Sequence, residues 1–258
     1  MTDPRTRRLN EERFSRTAEV FAASGVTGTV PELDLLLRLT AAAPADLLLD
    51  VACGPGRLLR AFAPYVRKAV GLDLTMEMLG IVRRGRGERT TGVVEVVRGE
   101  GERLPFRDAA FTIVSTTTAI HHFADPRRVL EEMVRVCRRA GRIAVRDLVG
   151  SADEARRARQ NEIERLRDPS HVELHSAAGL EALLTGCGLI ITGRASGVQM
   201  RELGEWCRLA ATPAKIVPRV REMLRRSVDG DLAGIQPALV DGEWRFHHHW
   251  LTLVASKP

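Results

Sequence analysis

The chain has 258 residues, a hydrophobic fraction of 44% and a formal net charge of +6. A chain of that length can bury one substantial core, so a single α/β domain with short additions is expected. The sequence has no apolar run near the roughly 18 residues that span a bilayer, and the polar opening MTDPRTRRLNEERF carries no secretory pattern. The expectation is a cytoplasmic protein with no membrane contact.

The basic balance does not point to nucleic acid. Lys68, Lys215 and Lys257 are the only lysines, and the arginines interleave with acids, as in EERFSR and NEIERLRD, instead of massing in one stripe. Cys53, Cys137, Cys187 and Cys207 lie far apart with no CxxC pair, so neither a metal cluster nor a disulfide framework is expected.

In chain order, residues 1–45 come first as a helical cap, with Phe14, Ala18, Phe21 and Ala22 at helical spacing. From residue 46 to 198, short apolar runs alternate with amphipathic segments, as when helices cover both faces of a parallel sheet. Strands are predicted at Leu47–Val51, Lys68–Asp73, Val93–Arg98, Phe111–Thr116, Arg142–Asp147 and Leu189–Thr192. Helices are predicted at Gly56–Ala63, Thr75–Arg84, Pro126–Arg139 and Ala177–Cys187. The segment Ser151–Glu173, with Ala155, Ala158, Ile163 and Leu166 in a charged helix, is a second cap candidate. Residues 199–241 read as a helical insertion or lid, and residues 242–258 carry a last, antiparallel strand at Trp244–Ala255. The predicted fold is therefore a doubly wound, mostly parallel, seven-stranded Rossmann-like sheet with helical lid segments, all in one domain.

The strongest motif is LLLDVACGPGRLL at 47–59, a buried strand running into a glycine turn and then a helix. Gly54 and Gly56 lack a β-carbon, so the backbone can turn tightly and a ligand can approach its N–H groups at a helix N-terminus. Leu59 stands where a dinucleotide fingerprint would have its third glycine, which speaks against a pyrophosphate. In GLDLT, Asp73 ends the second strand, where a carboxylate can accept both hydroxyls of a ribose. Its plainer role is to cap the helix that follows, and the two are compatible. RGEGERLPF (98–106) follows the third strand, and FTIVSTTTAIHHF (111–123) makes the fourth with its exit loop.

These motifs, in this order, resemble the class I S-adenosylmethionine-dependent methyltransferases, in particular the type 11 branch that includes ubiquinone and menaquinone biosynthesis enzymes. The resemblance covers residues 33–149, and more loosely 167–189. It implies that Asp50, Ala52, Cys53, Gly54 and Gly56 hold the methionine part of S-adenosylmethionine, and that Asp73 holds its ribose. It places Leu74 beside the adenine, Glu100 and Gly101 against it, and Thr117 on the methyl-transfer channel. S-Adenosylhomocysteine would be the product. Two departures from the family pattern stand out: Glu100 replaces an aspartate, and the segment Arg138, Arg139, Ala140, Gly141 replaces its Lys-Pro-Gly-Gly turn.

Methyl transfer needs alignment of the acceptor, while a base is optional. His121 and His122 sit at the carboxyl end of the fourth strand, where open α/β sheets bind ligands; each is a candidate base or a loop histidine bonded to the backbone. His171, in RDPSH, is a base or a substrate contact, or else shares a capping role with Asp168 and Ser170. His247, His248 and His249 alternate along the last strand without accompanying ligands, so no metal is expected. Phe14, Phe21, Met200 and Trp206 in the caps are the candidates for shaping the acceptor pocket. The function expected is methyl transfer to an O or C atom of a small molecule such as a quinone, a phenol or a secondary metabolite, and a homodimer is compatible with it. The rivals are a cofactor-binding relative that catalyses a different reaction, such as cyclisation, and a non-catalytic regulatory module.

Overall fold

The computed structural model describes residues 3–24, 29–85 and 92–258. Residues 1–2 and 25–28 of the expected 1–45 cap lie outside the described residues, as do residues 86–91.

The cap forms α1 (Pro4–Ala23) and α2 (Val30–Thr40). Asp3 starts α1 by accepting from the Arg5 and Thr6 N–H groups, and Thr29 with Glu32 makes a capping box for α2. The core then runs β1 (Leu47–Val51), α3 (Arg57–Phe62), β2 (Lys68–Asp73), α4 (Met76–Arg84), β3 (Val94–Arg98) and β4 (Phe111–Thr117). A short 3₁₀ turn (Ile120–His122), α5 (Pro126–Val136), β5 (Cys137–Val149), α6 (Glu154–Arg167) and α7 (Ala177–Gly186) follow. The chain ends with β6 (Ile190–Glu202), α8 (Leu203–Leu209), α9 (Val217–Arg226), β7 (Ala238–Val240) and β8 (Glu243–Ser256).

The sheet order is β3-β2-β1-β4-β5-β8-β6, with β7 added beside β8. Strands β1 to β5 pair in parallel, and β8 enters antiparallel between β5 and β6. One face is covered by α2, α3 and α4 through Leu36, Leu58, Leu59, Phe62, Leu79 and Val82. The other is covered by α5 and α7 through Val129, Leu130, Met133, Leu180 and Leu184. The strand order reverses between β1 and β4, and a crevice for ligands opens at the carboxyl ends of strands at such a point.

Four expectations are corrected. Among the described residues the sheet has eight strands rather than seven, because Ala238–Val240 pairs with β8 although three residues carry no legible pattern. The predicted helix Pro126–Arg139 stops at Val136, since Cys137 already pairs with Phe111, and Ala140 takes a left-handed turn (φ 54°) before the register resumes at Arg142. The predicted strand at Leu189–Thr192 instead runs from Ile190 to Glu202, so the 199–241 lid begins as strand and turns helical only at Leu203. Residues 193–202 lie on an edge strand whose apolar members Val198 and Met200 are exposed, so backbone pairing with β8 and not an apolar face holds them in place. Finally, Ala155 and Ala158 face solvent, and the buried side of α6 carries Gln160, Asn161, Ile163 and Glu164. No described helix is long and apolar enough to cross a membrane.

Candidate active site

A hollow of about 990 Å³, partly open to solvent, lies over the carboxyl ends of β1, β2 and β4 and beneath α1. Its floor is the turn after β1, where Ala52 takes a left-handed conformation (φ 57°) and Gly54 another (φ 52°). Just past β4, Thr118 does the same (φ 60°). Left-handed backbone in Ala or Thr costs roughly 1 kcal/mol or more and persists where the surroundings impose it. A β-carbon on Gly54 would meet nothing within 4 Å, so the turn presents bare backbone to open space. One on Gly56 would stand 2.7 Å from Val82 Cγ2, so that glycine serves helix packing.

Asp73 ties this turn to β2. Its Oδ2 accepts the Gly54 N–H at 2.8 Å, and its Oδ1 accepts the Thr75 N–H at 2.9 Å and the Thr75 hydroxyl at 2.7 Å. Asp73 lines the hollow, as its expected ribose contact requires, but it does not cap the following helix: the N-cap is Thr75, and Asp73 closes the 73–75 turn just ahead of it. Asp50 lies under the turn and not on the wall of the hollow. Ser115 Oγ donates to its Oδ1 at 2.9 Å, and its Oδ2 is buried with no partner among the described residues. Burial pushes the Asp50 carboxyl up to about 7.

Ala52, Cys53, Gly54, Asp73, Leu74, Thr117, Phe14, Phe21 and His122 all line the main hollow. A smaller adjoining hollow is lined by Glu100 and Gly101, and the two share Asn10, Ala52, Leu74 and Phe123. Arg7 on α1 holds the Glu100 carboxylate at 2.9 Å.

The three candidate histidines separate. His121 lies behind the wall, its Nδ1 on Asp147, whose carboxylate also accepts the Ala119 and Ile120 N–H groups. Burial pulls the His121 imidazole down, but Asp147 outweighs it and leaves its pKa raised. His171 also stays off the wall, with Nε2 2.8 Å from Asn161 Oδ1, and burial takes it down to about 3. His122 is on the wall, and its Nδ1 lies 3.0 Å from the Ser170 carbonyl, an acceptor only. That contact requires the proton on Nδ1 and leaves Nε2 as the acceptor nitrogen. Burial, reinforced by neighbouring His121, holds His122 well below its ordinary range and hence neutral.

Met200 and Trp206 are not brought to the hollow. Met200 is 57% exposed on edge strand β6. Trp206 is 2% exposed and packs with Phe246, Val220 and Leu224 in a separate core under α6, α8 and α9. Trp206 is thus a packing residue of that core and not the acceptor contact expected of it.

Several residues on or near the wall were not singled out from sequence. Asn10 Nδ2 donates to the His122 carbonyl at 2.9 Å. Arg57, the residue after the glycine turn, donates to the carbonyls of Phe21 (3.0 Å) and Ala22 (2.9 Å) and to that of Ser24, fixing the end of α1 over the floor. Arg146 stacks 3.8 Å over Trp250 and pairs with Glu32 of α2. Only the position of Arg57 in the motif was a usable signal; the other pairs join residues more than 100 apart in the chain. No group of three or more metal-ligating side chains occurs among the described residues.

A methyltransferase-domain family matches residues 49–145, the span from β1 to β5. YcgJ of Bacillus subtilis, named an uncharacterized methyltransferase, is 30% identical over 205 residues, 80% of this chain and 81% of YcgJ. The crystal structure of YcgJ covers 88% of this chain and 98% of its own, with a TM-score of 0.81 at 26% identity. A demethylmenaquinone methyltransferase of Thermotoga maritima is 35% identical over 107 residues, 40% of this chain and 44% of that protein. The [4+2]-cyclase SpnF shares the fold, with a TM-score of 0.68 over 100% of this chain and 98% of its own at 16% identity. Likeness to YcgJ across four-fifths of both chains, on a sheet whose glycine turn and acid-tipped second strand meet at one hollow, makes this chain a member of the class I S-adenosylmethionine-dependent methyltransferases, in their type 11 branch.

Proposed function

We propose that the chain binds S-adenosylmethionine along the joined hollows and methylates an O or C atom of a small, largely apolar acceptor of quinone, phenol or related type. The observation that carries this is the bare Gly54 turn above Asp50, whose Oδ2 is buried and unpartnered. A buried carboxylate oxygen without a donor is costly, and the positive charge of a methionyl ammonium seated on the turn beside it would stabilise its ionised form through space. Asp73 would take the ribose hydroxyls, Leu74 and Gly101 the faces of the adenine, and Glu100 its edge. When bound, the cofactor supplies an electrophilic methyl group carried on a positively charged sulfur.

The remaining chemistry belongs to side chains of this chain. Phe14 and Phe21 meet edge to face at 6.4 Å and cover the hollow from α1, which excludes water and favours a flat acceptor. His122, neutral and protonated on Nδ1, offers Nε2 to the proton of an acceptor hydroxyl. His121 and His171 are assigned supporting places, because neither reaches the wall. The likeness to a demethylmenaquinone methyltransferase supports a quinol-like acceptor.

Calorimetric titration with S-adenosylhomocysteine, followed by incubation with methyl-labelled S-adenosylmethionine and a panel of phenols and demethylated quinols, tests the reading. Saturable binding and label in a panel member are expected. Absence of saturable binding overturns the cofactor assignment, and binding with conversion of an acceptor but no label in it replaces methyl transfer by a cyclase-like reaction.

A further inference from the structure

Behind His122 lies a buried chain of polar groups that runs away from the hollow and ends on the helix that covers it. The His122 Nδ1 is 3.0 Å from the Ser170 carbonyl and 3.3 Å from the Ser170 hydroxyl. The Ser170 hydroxyl donates to Asp168 Oδ1 at 2.6 Å, and the Ser170 N–H donates to the same oxygen at 3.0 Å. Asp168 also accepts the His171 N–H on its own carbonyl at 3.0 Å, which closes residues 168–171 into a tight turn. The second oxygen, Oδ2, meets Arg13 Nη2 of α1 at 3.0 Å. Asp168, Ser170, His122 and Arg13 are all buried, so none of these contacts is diluted by water.

We propose that Asp168, clamped by Arg13 and acting through Ser170, is a positioning residue that fixes His122 as the Nδ1-protonated tautomer, so that seating α1 completes the base of the reaction. The proposal rests on the reading of His122 as that base. Its logic is that of an orienting carboxylate behind a catalytic imidazole, here with a serine between the two. Without Asp168 the 168–171 turn loses three of its hydrogen bonds and ion-pair contacts, and the Ser170 carbonyl is free to leave the ring. The ring can then rotate or exchange its proton to Nε2, which removes the lone pair facing the acceptor.

The placement of Arg13 explains an otherwise costly feature. It is a buried guanidinium whose Nε and Nη1 have no hydrogen-bond partner among the described residues, and it stacks 4.0 Å over Phe14, the next residue on α1. Phe14 in turn meets the His122 ring edge to face at 5.0 Å. Adjacent residues of one helix thus touch the ring directly and hold the carboxylate that positions it. The other ionisable groups around His122 are His121, backed by Asp147, and His171, backed by Asn161 and near Glu164. Each has its own partner, so Asp168 is the carboxylate joined to His122 through hydrogen bonds.

Nitrogen NMR of the imidazoles, on the full chain without ligand and then with S-adenosylhomocysteine, reads the tautomer directly. The wild type is expected to show His122 with Nδ1 protonated and Nε2 bare. Asp168→Asn, which removes the charge that Arg13 clamps, is expected to move the ratio of tautomers toward protonated Nε2 by about tenfold, equivalent to about 1.4 kcal/mol. Ser170→Ala, which keeps the carbonyl and removes the hydroxyl bridge, should move it in the same direction and serves if Asp168→Asn does not fold. Affinity for S-adenosylhomocysteine should stay within about twofold in both, as neither residue lines the hollow. A wild-type ring protonated on Nε2, or a ratio unchanged in folded variants, overturns the proposal. Failure of the wild type to bind S-adenosylhomocysteine would overturn the functional reading instead, and the ring signals would still report whether Asp168 positions His122.

Discussion

The Gly54 N–H points at Asp73 Oδ2 across 2.8 Å, so the turn after the first strand and the tip of the second are locked to each other by one charged hydrogen bond. Asp73→Ala removes that bond, the two bonds to Thr75 and the ribose acceptor together. A hydrogen bond to a charged group contributes about 1.5 to 3 kcal/mol, so S-adenosylhomocysteine should bind at least about tenfold more weakly. Asp73→Asn retains acceptor capacity for Gly54 and should fall between. Calorimetry on both variants checks the order; equal affinity in wild type and Asp73→Ala would remove Asp73 from the site.

The two glycines of the turn should fail differently. Gly54→Ala places a methyl group into open space at a left-handed φ, at a cost of about 1 to 2 kcal/mol, and obstructs the ligand. Gly56→Ala drives a methyl group to within 2.7 Å of Val82 Cγ2 as well as straining φ (77°), so it should destabilise by about 2 to 4 kcal/mol. Adding Val82→Ala should recover part of the stability of Gly56→Ala and none of the affinity of Gly54→Ala. Thermal melts and calorimetry on the same four proteins separate these outcomes.

The parts legible in sequence were those where one local pattern decides one local structure. Leu47–Val51 and Lys68–Asp73 are apolar runs closed by turn signals, and the structure has strands at both, with the bounds the sequence predicts. The glycine turn and Asp73 were legible because motif spacing fixes a strand, a bend and a strand tip. The route of the Met200 segment was not, since Ile190–Glu202 is held by backbone pairing to β8 some 50 residues later, which leaves no periodic trace. The division of labour among His121, His122 and His171 was equally hidden, because Asp147, Ser170 and Asn161 decide it from distant elements.

Trp206 offers a test of the lid as a separate core. Its ring packs against Phe246 at 4.7 Å with Arg167 at 4.6 Å over the face, and its Nε1 has no partner among the described residues. Trp206→Ala should therefore cost about 3 to 5 kcal/mol, while Trp206→Phe should cost much less because no indole hydrogen bond is lost. Met200→Ala, on the exposed edge strand, should change stability by no more than about 0.5 kcal/mol. Denaturant titrations measure all three, and a Trp206→Phe variant as unstable as Trp206→Ala would show that the indole N–H has a partner after all.

Asp50 sets stability against binding through pH. Its carboxyl is raised by burial to about 7 in the folded chain, against an ordinary value of 3.8. Between those two pH values the folded state keeps a proton that the unfolded state has released, so this group favours folding most strongly at the acid end. Its contribution is lost progressively as pH rises toward 7 and stays lost above it. Asp50→Asn cannot ionise, so at pH 8 the unliganded variant should be more stable than the wild type by on the order of 4 kcal/mol, and the two should converge near pH 4. An ammonium group beside Asp50 Oδ2 reverses the advantage, since it favours the ionised carboxylate. S-Adenosylhomocysteine should therefore stabilise the wild type at pH 8 by a larger margin than it stabilises Asp50→Asn. Melting curves at pH 5 and pH 8, each with and without S-adenosylhomocysteine, give all four comparisons. If Asp50→Asn melts below the unliganded wild type at pH 8, or gains as much from the ligand, Asp50 is neither the strained acid nor the partner of the methionyl group.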